Sequence, residues 1–593
     1  MDAINEATND LSVEANAGGR LQVSLALVGS GGAGVVTAAE VILRAAAKAG
    51  LYGVLTKSFG PQIRGGETCA FVTLSNRPVE TQADRCDILL AIDWLNVARF
   101  AWELPLTDNS LAISGVAGED VPEIIADTGA ECLSVDIGAI TSVHKTARPN
   151  MIAVGLVMQM IGLAPKAVEQ VITDRLSRKG SEAIQASLDA VRFGADAATD
   201  LPSRYMLSKP TGENVERWVM SGNQAAGLGA IRGGVRFVAA YPITPATEIL
   251  EWMSPRLPKV GGQLMQAEDE LASINMIIGG SYGGIPSLTA TSGPGLALMI
   301  ESIGLAVASE VPIVIADVMR GGPSTGIPTK SEQADLNIAV YGLPGDAPHV
   351  VTAARSIGDA ATTMQWSVEL AEAMQIPVIF LSDQLIGQGV AIIDPPENPG
   401  FQASRLLADN LADGYERYVD TPSGVSPMAI PGMTGGQYTA DGLEHNPRGT
   451  PSSGMQDHVT QSEKRARKVL DFDYGNHWAD IEGKADGDTD LTIVTWGSTA
   501  GPVSQAVAQL DPDGRRIRII VLRLIAPAQP ARLRDALAGS KNILVAEQSF
   551  SGQLFGYLKA NWDLPPNAQT FHRPGPQIIR ADEIRKSLEG VLS

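Results

Sequence analysis

The segment Tyr241-Pro-Ile-Thr-Pro-Ala-Thr-Glu-Ile249 joins a short apolar strand, Phe237 to Ala240, to a predicted helix. Thr244 stands where a helix N-cap is expected, and Pro245 stands where the first helical residue is expected. In a parallel α/β sheet, such a strand end faces the crevice that binds ligands. Taken alone, the segment fits an ordinary capped junction and a ligand site about equally well.

Polar side chains also follow the next three predicted strands, which cover residues 263–266, 287–290 and 313–318. Because parallel strands end at one edge of a sheet, we expect these side chains and Thr244 to share one crevice. Glycine-rich segments flank the last two strand ends, which favours a ligand site over separate helix caps. The alternative for the acidic residue among them, Glu268, is that it complements a helix dipole. The side chains are Glu268, Thr291, Ser292 and Arg320.

The residue types limit the chemistry of this predicted site. It offers one carboxylate at a partly buried helix start, one guanidinium and several hydroxyls, without a nucleophilic Cys or a Ser–His pair. Arg320 suits two-point binding of a substrate carboxylate. The set is poorly equipped to cleave a carbon–carbon bond alone, so it would need an organic cofactor as electron sink.

Length and charge narrow the class of protein. A chain of 593 residues is too long for one core and predicts three or four domains. The net charge of −21 argues against nucleic acid or an anionic membrane as the main partner. The three cysteines and six histidines are scattered and form no metal-binding pattern, so we expect no metal on this chain. The polar N-terminus and the short apolar runs predict a cytoplasmic protein with no membrane segment.

The pattern of elements predicts an α/β fold with several domains. After a polar tail, short β-branched strands alternate with helices, which is typical of a parallel sheet covered by helices. A Pro/Gly/Ser-rich loop interrupts the central part and then the strand–helix pattern resumes. The predicted parts are a tail (1–20), a first α/β domain (21–205), a central domain (206–485) that includes the loop 421–462, and a last domain (486–593).

Two further motifs have ordinary structural interpretations. Gly29-Ser-Gly-Gly-Ala-Gly34 matches a dinucleotide fingerprint, but the second predicted strand ends at Lys57 instead of an acidic residue. A tight turn that packs a helix on a strand is therefore favoured over nicotinamide binding. The basic run Lys464-Arg-Ala-Arg-Lys468 is interpreted as an exposed helix face; the alternative is contact with a phosphate-bearing ligand or an acidic partner.

The motifs in combination resemble the 2-oxoacid:ferredoxin oxidoreductase family, over nearly the whole chain. YPITPATEI, the helix after Glu268, TSGPG at 291–295 and MRGGPSTGIPT at 319–329 are similar to its α subunit, as is GLEH at 442–445. The first domain, with GSGGAG and SFGPQIRGG, resembles the γ domain of the family. The last domain resembles a transketolase C-terminal domain. The resemblance implies that the central domain has the pyrimidine-binding thiamine diphosphate fold.

The resemblance also assigns roles to residues of this chain. Glu268 would bond to the pyrimidine ring of thiamine diphosphate and favour the tautomer that removes the thiazolium C2 proton. Thr244 would lie beside the reacting carbonyl, while Arg320 and Thr329 would hold the C1 carboxylate of the substrate. The loop containing Lys57, Ser58 and Arg64 would approach the site, where its two cations could bind a distal carboxylate. The cofactor-binding residues implied are Tyr241, Pro242, Ile243, Thr244, Glu268, Thr291 and Ser292.

The chain has neither a GDG motif with a downstream Asn nor a cysteine set for an iron–sulfur cluster. In the family both belong to a β subunit, so the resemblance implies that Mg²⁺ and the cluster are on that partner, in an (αβ)2 assembly. The implied reaction is the reversible oxidative decarboxylation of 2-oxoglutarate to succinyl-CoA and CO2, with coenzyme A as co-substrate and ferredoxin as acceptor. Alternatives are a broad 2-oxoacid enzyme acting on pyruvate or 2-oxobutyrate and, more remotely, a nicotinamide-dependent dehydrogenase or a non-catalytic scaffold.

Overall fold

The computed structural model describes residues 19–60, 66–95, 97–208, 216–409, 411, 414–484 and 487–592. Across these ranges, no helix is both long enough and apolar enough to cross a membrane. The described residues form twenty strands: β1 (Gln22–Gly29), β2 (Tyr52–Phe59), β3 (Thr68–Ser75), β4 (Ile88–Ala91), β5 (Leu111–Ser114), β6 (Glu131–Ser134), β7 (Trp218–Ser221), β8 (Phe237–Ala240), β9 (Gln263–Gln266), β10 (Ser287–Thr291), β11 (Ile313–Met319), β12 (Val350–Ala353), β13 (Pro377–Asp383), β14 (Val390–Ile393), β15 (Ala479–Gly483), β16 (Thr489–Trp496), β17 (Ile517–Leu522), β18 (Leu524–Ala526), β19 (Ser540–Glu547) and β20 (Gln569–His572).

The same residues form eighteen α-helices: α1 (Val35–Lys48), α2 (Glu123–Ala126), α3 (Ile137–Val143), α4 (Pro149–Ile161), α5 (Pro165–Leu176), α6 (Ser181–Ala197), α7 (Gly222–Gly233), α8 (Thr247–Met253), α9 (Glu270–Tyr282), α10 (Gly293–Ala308), α11 (Leu336–Tyr341), α12 (Asp359–Met374), α13 (Gln384–Gln388), α14 (Met455–Leu470), α15 (Ala500–Leu510), α16 (Pro530–Leu537), α17 (Gln553–Asn561) and α18 (Ala581–Leu592). The alternation of strands and helices confirms the predicted α/β class.

The chain divides into two compact units. Unit 1 comprises Met1–Ser221, Gln388–Pro395 and Arg580–Glu583, and unit 2 comprises the rest. Unit 1 therefore takes in β14 and a short C-terminal segment besides the predicted first domain. The four-part division of the sequence stays a prediction.

Unit 1 is built on an eight-stranded mixed sheet. Its strand order is β6-β5-β4-β1-β3-β2-β14-β7. The apolar run of β1 is buried because helices and neighbouring strands cover it, and β1 pairs antiparallel with β3 and parallel with β4. Strand β2, which follows α1, is not a neighbour of β1, so these elements do not form the parallel βαβ unit that a dinucleotide fingerprint needs.

Strand β2 is longer than the sequence predicts. Lys57 and Ser58 were predicted to lie in a loop, but both belong to this strand, where Lys57 pairs with Ala70 and Ser58 with Cys69 of β3. Pairing with β3 along all eight residues extends β2 past its apolar part. Residues 61–65 of the predicted loop, among them Arg64, lie outside the described residues.

Unit 2 contains the predicted parallel sheet. Its strand order is β18-β12-β13-β11-β10-β8-β9, and every neighbouring pair from β12 to β9 is parallel. The outermost strand, β18, comes from the C-terminal part of the chain and pairs antiparallel with β12. A second sheet in this unit has the order β15-β17-β16-β19-β20. Four of its strands lie within residues 486–593, whereas β15 lies before them.

Residues of the predicted exposed run on α14 are buried, so that interpretation is wrong. The side chains of Lys464 and Lys468 are 0% and 1% exposed. Lys464 Nζ donates to Glu310 Oε1 at 2.5 Å and to Oε2 at 2.7 Å, and Lys468 Nζ donates to Oε2 at 3.1 Å. Arg417 donates to the backbone oxygen of Glu310 at 2.8 Å and to Gln375 Oε1 at 2.7 Å. We call Glu310, Arg417, Lys464 and Lys468 the Glu310 cluster.

Two lysines bond to one carboxylate in the Glu310 cluster, and Arg417 lies close enough to act on its charge. Burial opposes ionisation of Glu310, but the charges of Lys468, Lys464 and Arg417 outweigh it and hold the pKa of this carboxyl well below its usual value. Burial lowers the pKa of Lys468 to about 7, with Glu310 acting in the opposite direction. The cluster fastens α14 and part of the preceding loop to the turn between α10 and β11.

Candidate functional site

The four predicted strand ends lie next to one another. Strands β11, β10, β8 and β9 are consecutive and parallel in the sheet of unit 2, so their carboxyl ends form one edge. We call it the site edge. The sequence-predicted residues that follow these strands are Tyr241, Pro242, Ile243, Thr244, Glu268, Thr291, Ser292, Arg320 and Thr329.

The turn after β8 is held by two side chains from elsewhere in unit 2. Thr244 is not an N-cap: α8 begins at Thr247, because residues 244–246 form a separate turn in which Ala246 donates to the oxygen of Ile243. Asn223 Nδ2 donates to the oxygen of Pro245 at 2.8 Å. Arg320 Nη1 donates to the oxygen of Thr244 at 2.6 Å. The last contact brings two predicted site residues together.

Glu268 is exposed and precedes the helix α9. Glu268 was predicted to lie at a partly buried helix start, and this prediction is wrong for the isolated chain. The N-cap is Asp269, whose Oδ1 accepts from the backbone of Ala272 at 2.7 Å. Because the neighbouring residue satisfies the helix end, Glu268 is not needed for capping, and its carboxylate faces solvent.

Two buried residues with hydroxyl groups stand at the end of β10. Thr291 and Ser292 are both 0% exposed, and Ser292 Oγ has no hydrogen-bond partner among the described residues. A Cβ at Gly295 would lie 2.0 Å from Thr291 Oγ1 and 2.7 Å from Glu270 Cγ, so only glycine permits this close approach. The TSGPG motif thus packs the start of α10 tightly against the strand end.

Arg320 lies at the end of β11, before a loop that folds back on itself. Gly321 donates to Lys330 and accepts from Ile327, which closes the loop. Arg320 is buried, and its Nε has no hydrogen-bond partner among the described residues. Burial lowers the pKa of the guanidinium, while Asp335 and Asp317 act in the opposite direction. Thr329, later in the loop, is also buried.

Two carboxyl groups that were not predicted from the sequence act on Arg320. Asp317 lies inside β11, directly across from Thr291 of β10 in the strand register. It is 0% exposed, and neither of its side-chain oxygens has a hydrogen-bond partner in the described part of the chain. Asp335 precedes α11, and its Oδ2 is likewise buried and unpartnered there. A carboxylate within a buried apolar strand was the available signal, since Asp317 interrupts the run IVIADVM.

The two predicted residues of unit 1 that the structure describes already have partners. Lys57 Nζ lies 3.7 Å from Glu40 Oε1, and Ser58 Oγ donates to Glu103 Oε1 at 2.8 Å. Both contacts are within unit 1.

Known proteins are similar to this chain in sequence and in fold. Residues 228–465 match the family model described as pyruvate flavodoxin/ferredoxin oxidoreductase, thiamine diphosphate-binding, and residues 24–197 match the pyruvate ferredoxin/flavodoxin oxidoreductase model. The 2-oxoglutarate:ferredoxin oxidoreductase from Magnetococcus marinus, solved with 2-oxoglutarate, coenzyme A and succinyl-CoA bound, is 33% identical. The match has a TM-score of 0.90 and covers 97% of this chain and 100% of that one.

Two relatives known from sequence are similar in different ways. The 2-oxoacid:ferredoxin oxidoreductase subunit alpha from Saccharolobus solfataricus is 28% identical over 96% of this chain and 98% of its own. The 2-oxoglutarate synthase subunit KorA from Methanothermobacter marburgensis is 32% identical over 63% of this chain and 99% of its own.

The fold and the similarity to these known proteins define the class of this chain. It is an α/β oxidoreductase subunit with a thiamine diphosphate-binding domain. The chain belongs to the 2-oxoacid:ferredoxin oxidoreductase family. It is an α subunit, and the enzyme it forms part of has several subunits. The resemblance inferred from the motifs is thereby confirmed.

Proposed function

We propose that this chain is the α subunit of a 2-oxoglutarate:ferredoxin oxidoreductase. The enzyme would convert 2-oxoglutarate and coenzyme A to succinyl-CoA and CO2, reversibly, with ferredoxin as electron acceptor. The observation that carries the proposal is the site edge, where Arg320 contacts the turn that contains Thr244. The ligands of the Magnetococcus marinus structure and the name of the KorA relative support the choice of acid.

The residues of the site edge fit the pyrimidine half of thiamine diphosphate. The unpartnered, buried Ser292 Oγ offers a polar contact for a bound ring, and Thr291 lies beside it. Glu268 and Tyr241 are exposed at the same edge and would contact the group from the solvent side. The turn residues Pro242 to Thr244 would complete the contact. When bound, thiamine diphosphate supplies a carbanion and an electron sink for cleavage next to a carbonyl.

Each side chain has a defined task in this proposal. Glu268 holds a proton at a nitrogen of the pyrimidine ring. Arg320 binds the C1 carboxylate of the substrate through two N–H groups, with Thr329 as a further donor. Thr244 donates to the reacting carbonyl from its turn. Because Arg320 is already buried, little water must be removed from it when the carboxylate arrives.

We also propose that a β subunit covers the site edge in an (αβ)2 assembly and carries the Mg²⁺ and the iron–sulfur cluster. Large apolar side chains exposed around this edge support a protein interface. Leu298 of α10 is 54% exposed and Leu271 of α9 is 51% exposed. Tyr241 and Met265 at the neighbouring strand ends are exposed as well.

The second carboxylate of 2-oxoglutarate requires a further cation. Lys57 and Arg64 are our candidates, with Ser58 as a hydrogen-bond donor. To take this role, Lys57 and Ser58 would have to exchange their partners Glu40 and Glu103 for the substrate. For Lys57 such an exchange replaces one ion pair with another, so its cost is small compared with that of burying an unpaired cation.

A substrate panel tests the proposed function. The chain is purified together with its β subunit, and reduction of methyl viologen is followed with 2-oxoglutarate, pyruvate and 2-oxobutyrate, with and without coenzyme A. We expect the highest kcat/KM for 2-oxoglutarate and no product without coenzyme A. Comparable rates with all three acids would instead favour the broad activity named for the Saccharolobus solfataricus relative. Failure with every acid would reject the proposal.

Replacing Arg320 should weaken the use of every 2-oxoacid. Removal of a buried partner of a substrate charge costs about 2–5 kcal/mol, so we expect Arg320→Ala to lower kcat/KM accordingly. Arg256 is exposed at the end of α8, and Arg256→Ala serves as the control with unchanged kcat/KM. An Arg320→Ala enzyme with the kcat/KM of the wild type would exclude the carboxylate-binding role.

A further inference from the structure

The surroundings of Arg320 contain more carboxyl groups than one guanidinium can neutralise. Asp317 is three residues before Arg320 on β11, and Asp335 enters from the segment before α11. A Cβ placed on Gly293 would lie 2.5 Å from Asp335 Oδ1, which places this carboxyl group against the first residue of α10. Thus β11, α10 and the segment before α11 converge on a single buried polar region.

Buried side-chain atoms in this region lack hydrogen bonds among the described residues. They are both oxygens of Asp317, Oδ2 of Asp335 and Nε of Arg320. An unpartnered buried carboxylate is costly, and two of them close together repel each other. The arrangement becomes stable if at least one of the two carboxyl groups keeps its proton.

The pKa values of both carboxyl groups are shifted in the direction that this geometry predicts. Burial raises the pKa of Asp317 well above its usual value, and the charge of Asp335 adds to this effect while Arg320 opposes it. Burial raises the pKa of Asp335 to about 7; Arg320 and the Gly293 backbone N–H act against the rise, and Glu332 adds to it. Among the neighbouring acidic groups, Glu270 of α9 lies beside Thr291, and Asp383 of β13 is in register with Met319.

We infer that Asp317 and Asp335 form a buried carboxyl pair that competes with the 2-oxoacid carboxylate for the Arg320 guanidinium. This inference rests on the proposed role of Arg320. Below about pH 7 Asp335 is protonated, and burial favours the protonated form of Asp317 as well, so Arg320 carries an uncompensated positive charge and binds a carboxylate tightly. Above that pH the pair carries one negative charge, Arg320 is neutralised within the protein, and the substrate must displace this interaction.

Binding of a carboxylate above neutral pH should therefore draw one proton from solvent onto the pair. The substrate brings a negative charge to Arg320, and the pair loses its own by protonation, so the net charge of the buried region is conserved. Loss of CO2 removes that substrate charge from the site, and the pair then returns its proton to solvent. Asp317 and Asp335 are positioning residues in this scheme, because they act on the substrate through Arg320.

Calorimetry on the complex with its β subunit tests this inference. The probe is 2-hydroxyglutarate, which has the carboxylates of the substrate but no carbonyl to react. Titrations in two buffers of different ionisation enthalpy count the protons taken up on binding. In the wild type we expect about one proton at about pH 8, and an affinity about tenfold weaker there than at about pH 6, the equivalent of one pKa unit of coupling.

The Asp335→Asn variant removes the titrating group and keeps the size of the side chain. We expect no proton uptake, and an affinity that varies less than about twofold between about pH 6 and about pH 8 and matches the tight wild-type value. A role confined to folding would not make binding at high pH tighter. Asp346, in an exposed loop of unit 2, provides the control Asp346→Asn, which should behave as the wild type.

The outcomes separate this inference from the role of Arg320. If Arg320→Lys leaves the affinity for 2-hydroxyglutarate unchanged, the carboxylate-binding role of Arg320 fails. If Arg320→Lys weakens binding but Asp335→Asn still takes up a proton, only the carboxyl pair is refuted. Should Asp335→Asn fail to fold, the wild type alone decides, because binding without proton uptake at about pH 8 contradicts the competition.

Discussion

In the assembled enzyme, Glu268→Gln is expected to lower kcat by about 100- to 10,000-fold, the range for loss of a positioned proton-transfer group. The amide has the shape of the carboxylate but cannot hold a negative charge against a protonated pyrimidine nitrogen. Glu268 is exposed in this chain, and the helix after it is capped by Asp269. The substitution should therefore change the free energy of unfolding by no more than about 0.5 kcal/mol.

Two measurements check the prediction for Glu268. Turnover is followed by methyl viologen reduction at saturating 2-oxoacid and coenzyme A. Hydrogen–deuterium exchange at the C2 position of bound thiamine diphosphate reports proton removal without the later steps, and it should slow in parallel. Asp269→Asn is the matched control, since asparagine is an equally good N-cap and turnover should stay near that of the wild type. Near-normal turnover of Glu268→Gln would show that this carboxylate is not part of the chemistry.

The largest loss of stability is expected from Glu310→Gln. The substitution leaves two buried lysines without their carboxylate, and breaking a buried ion pair in this way costs about 3–5 kcal/mol. Lys464 and Lys468 are almost completely buried, so water cannot replace the lost interaction. Urea denaturation of the purified chain, followed by circular dichroism, measures the change.

The effect of Glu310→Gln should depend on pH. In the wild type the pKa of Lys468 is about 7, below the 10.5 of an ordinary lysine, so the unfolded chain binds more protons in this window and stability rises with pH. Without Glu310 the pKa values of both lysines fall further, so the deficit is largest near about pH 6 and shrinks toward about pH 9. Glu463→Gln, at an exposed position on the same helix, should be neutral. Equal deficits at both pH values would rule out the lysines as the source.

Local sequence was sufficient to predict the site edge. Strands β8, β9, β10 and β11 are short apolar runs, each ending at a polar residue, and a parallel sheet places such ends side by side. Thr244, Glu268, Thr291 and Arg320 were found in this way, because each lies at the end of its strand or shortly after it. The roles assigned to them stay predictions until they are tested by substitution.

Three of the errors concern interactions between residues that are distant in the sequence. Lys464 looks like a solvated charge until Glu310, 154 residues earlier, is placed beside it. Lys57 looks like a loop residue because only its pairing with β3 extends the strand. Asp317 was read as part of an apolar strand, since the segment before α11 that brings Asp335 to it cannot be located from a local pattern. In each case the missing information is the partner.

The antiparallel strand β18 has a consequence for how the protein is built. It belongs to the C-terminal part of the chain, yet it forms the outer strand beside β12 in the sheet that carries the site edge. Next to it, Arg523 bonds to Asp359 at the start of α12 at 2.8 Å. Removal of the C-terminal part would leave the backbone groups of β12 open for pairing with another chain. The C-terminal part of the chain therefore protects the edge of this sheet, and the sheet depends on it.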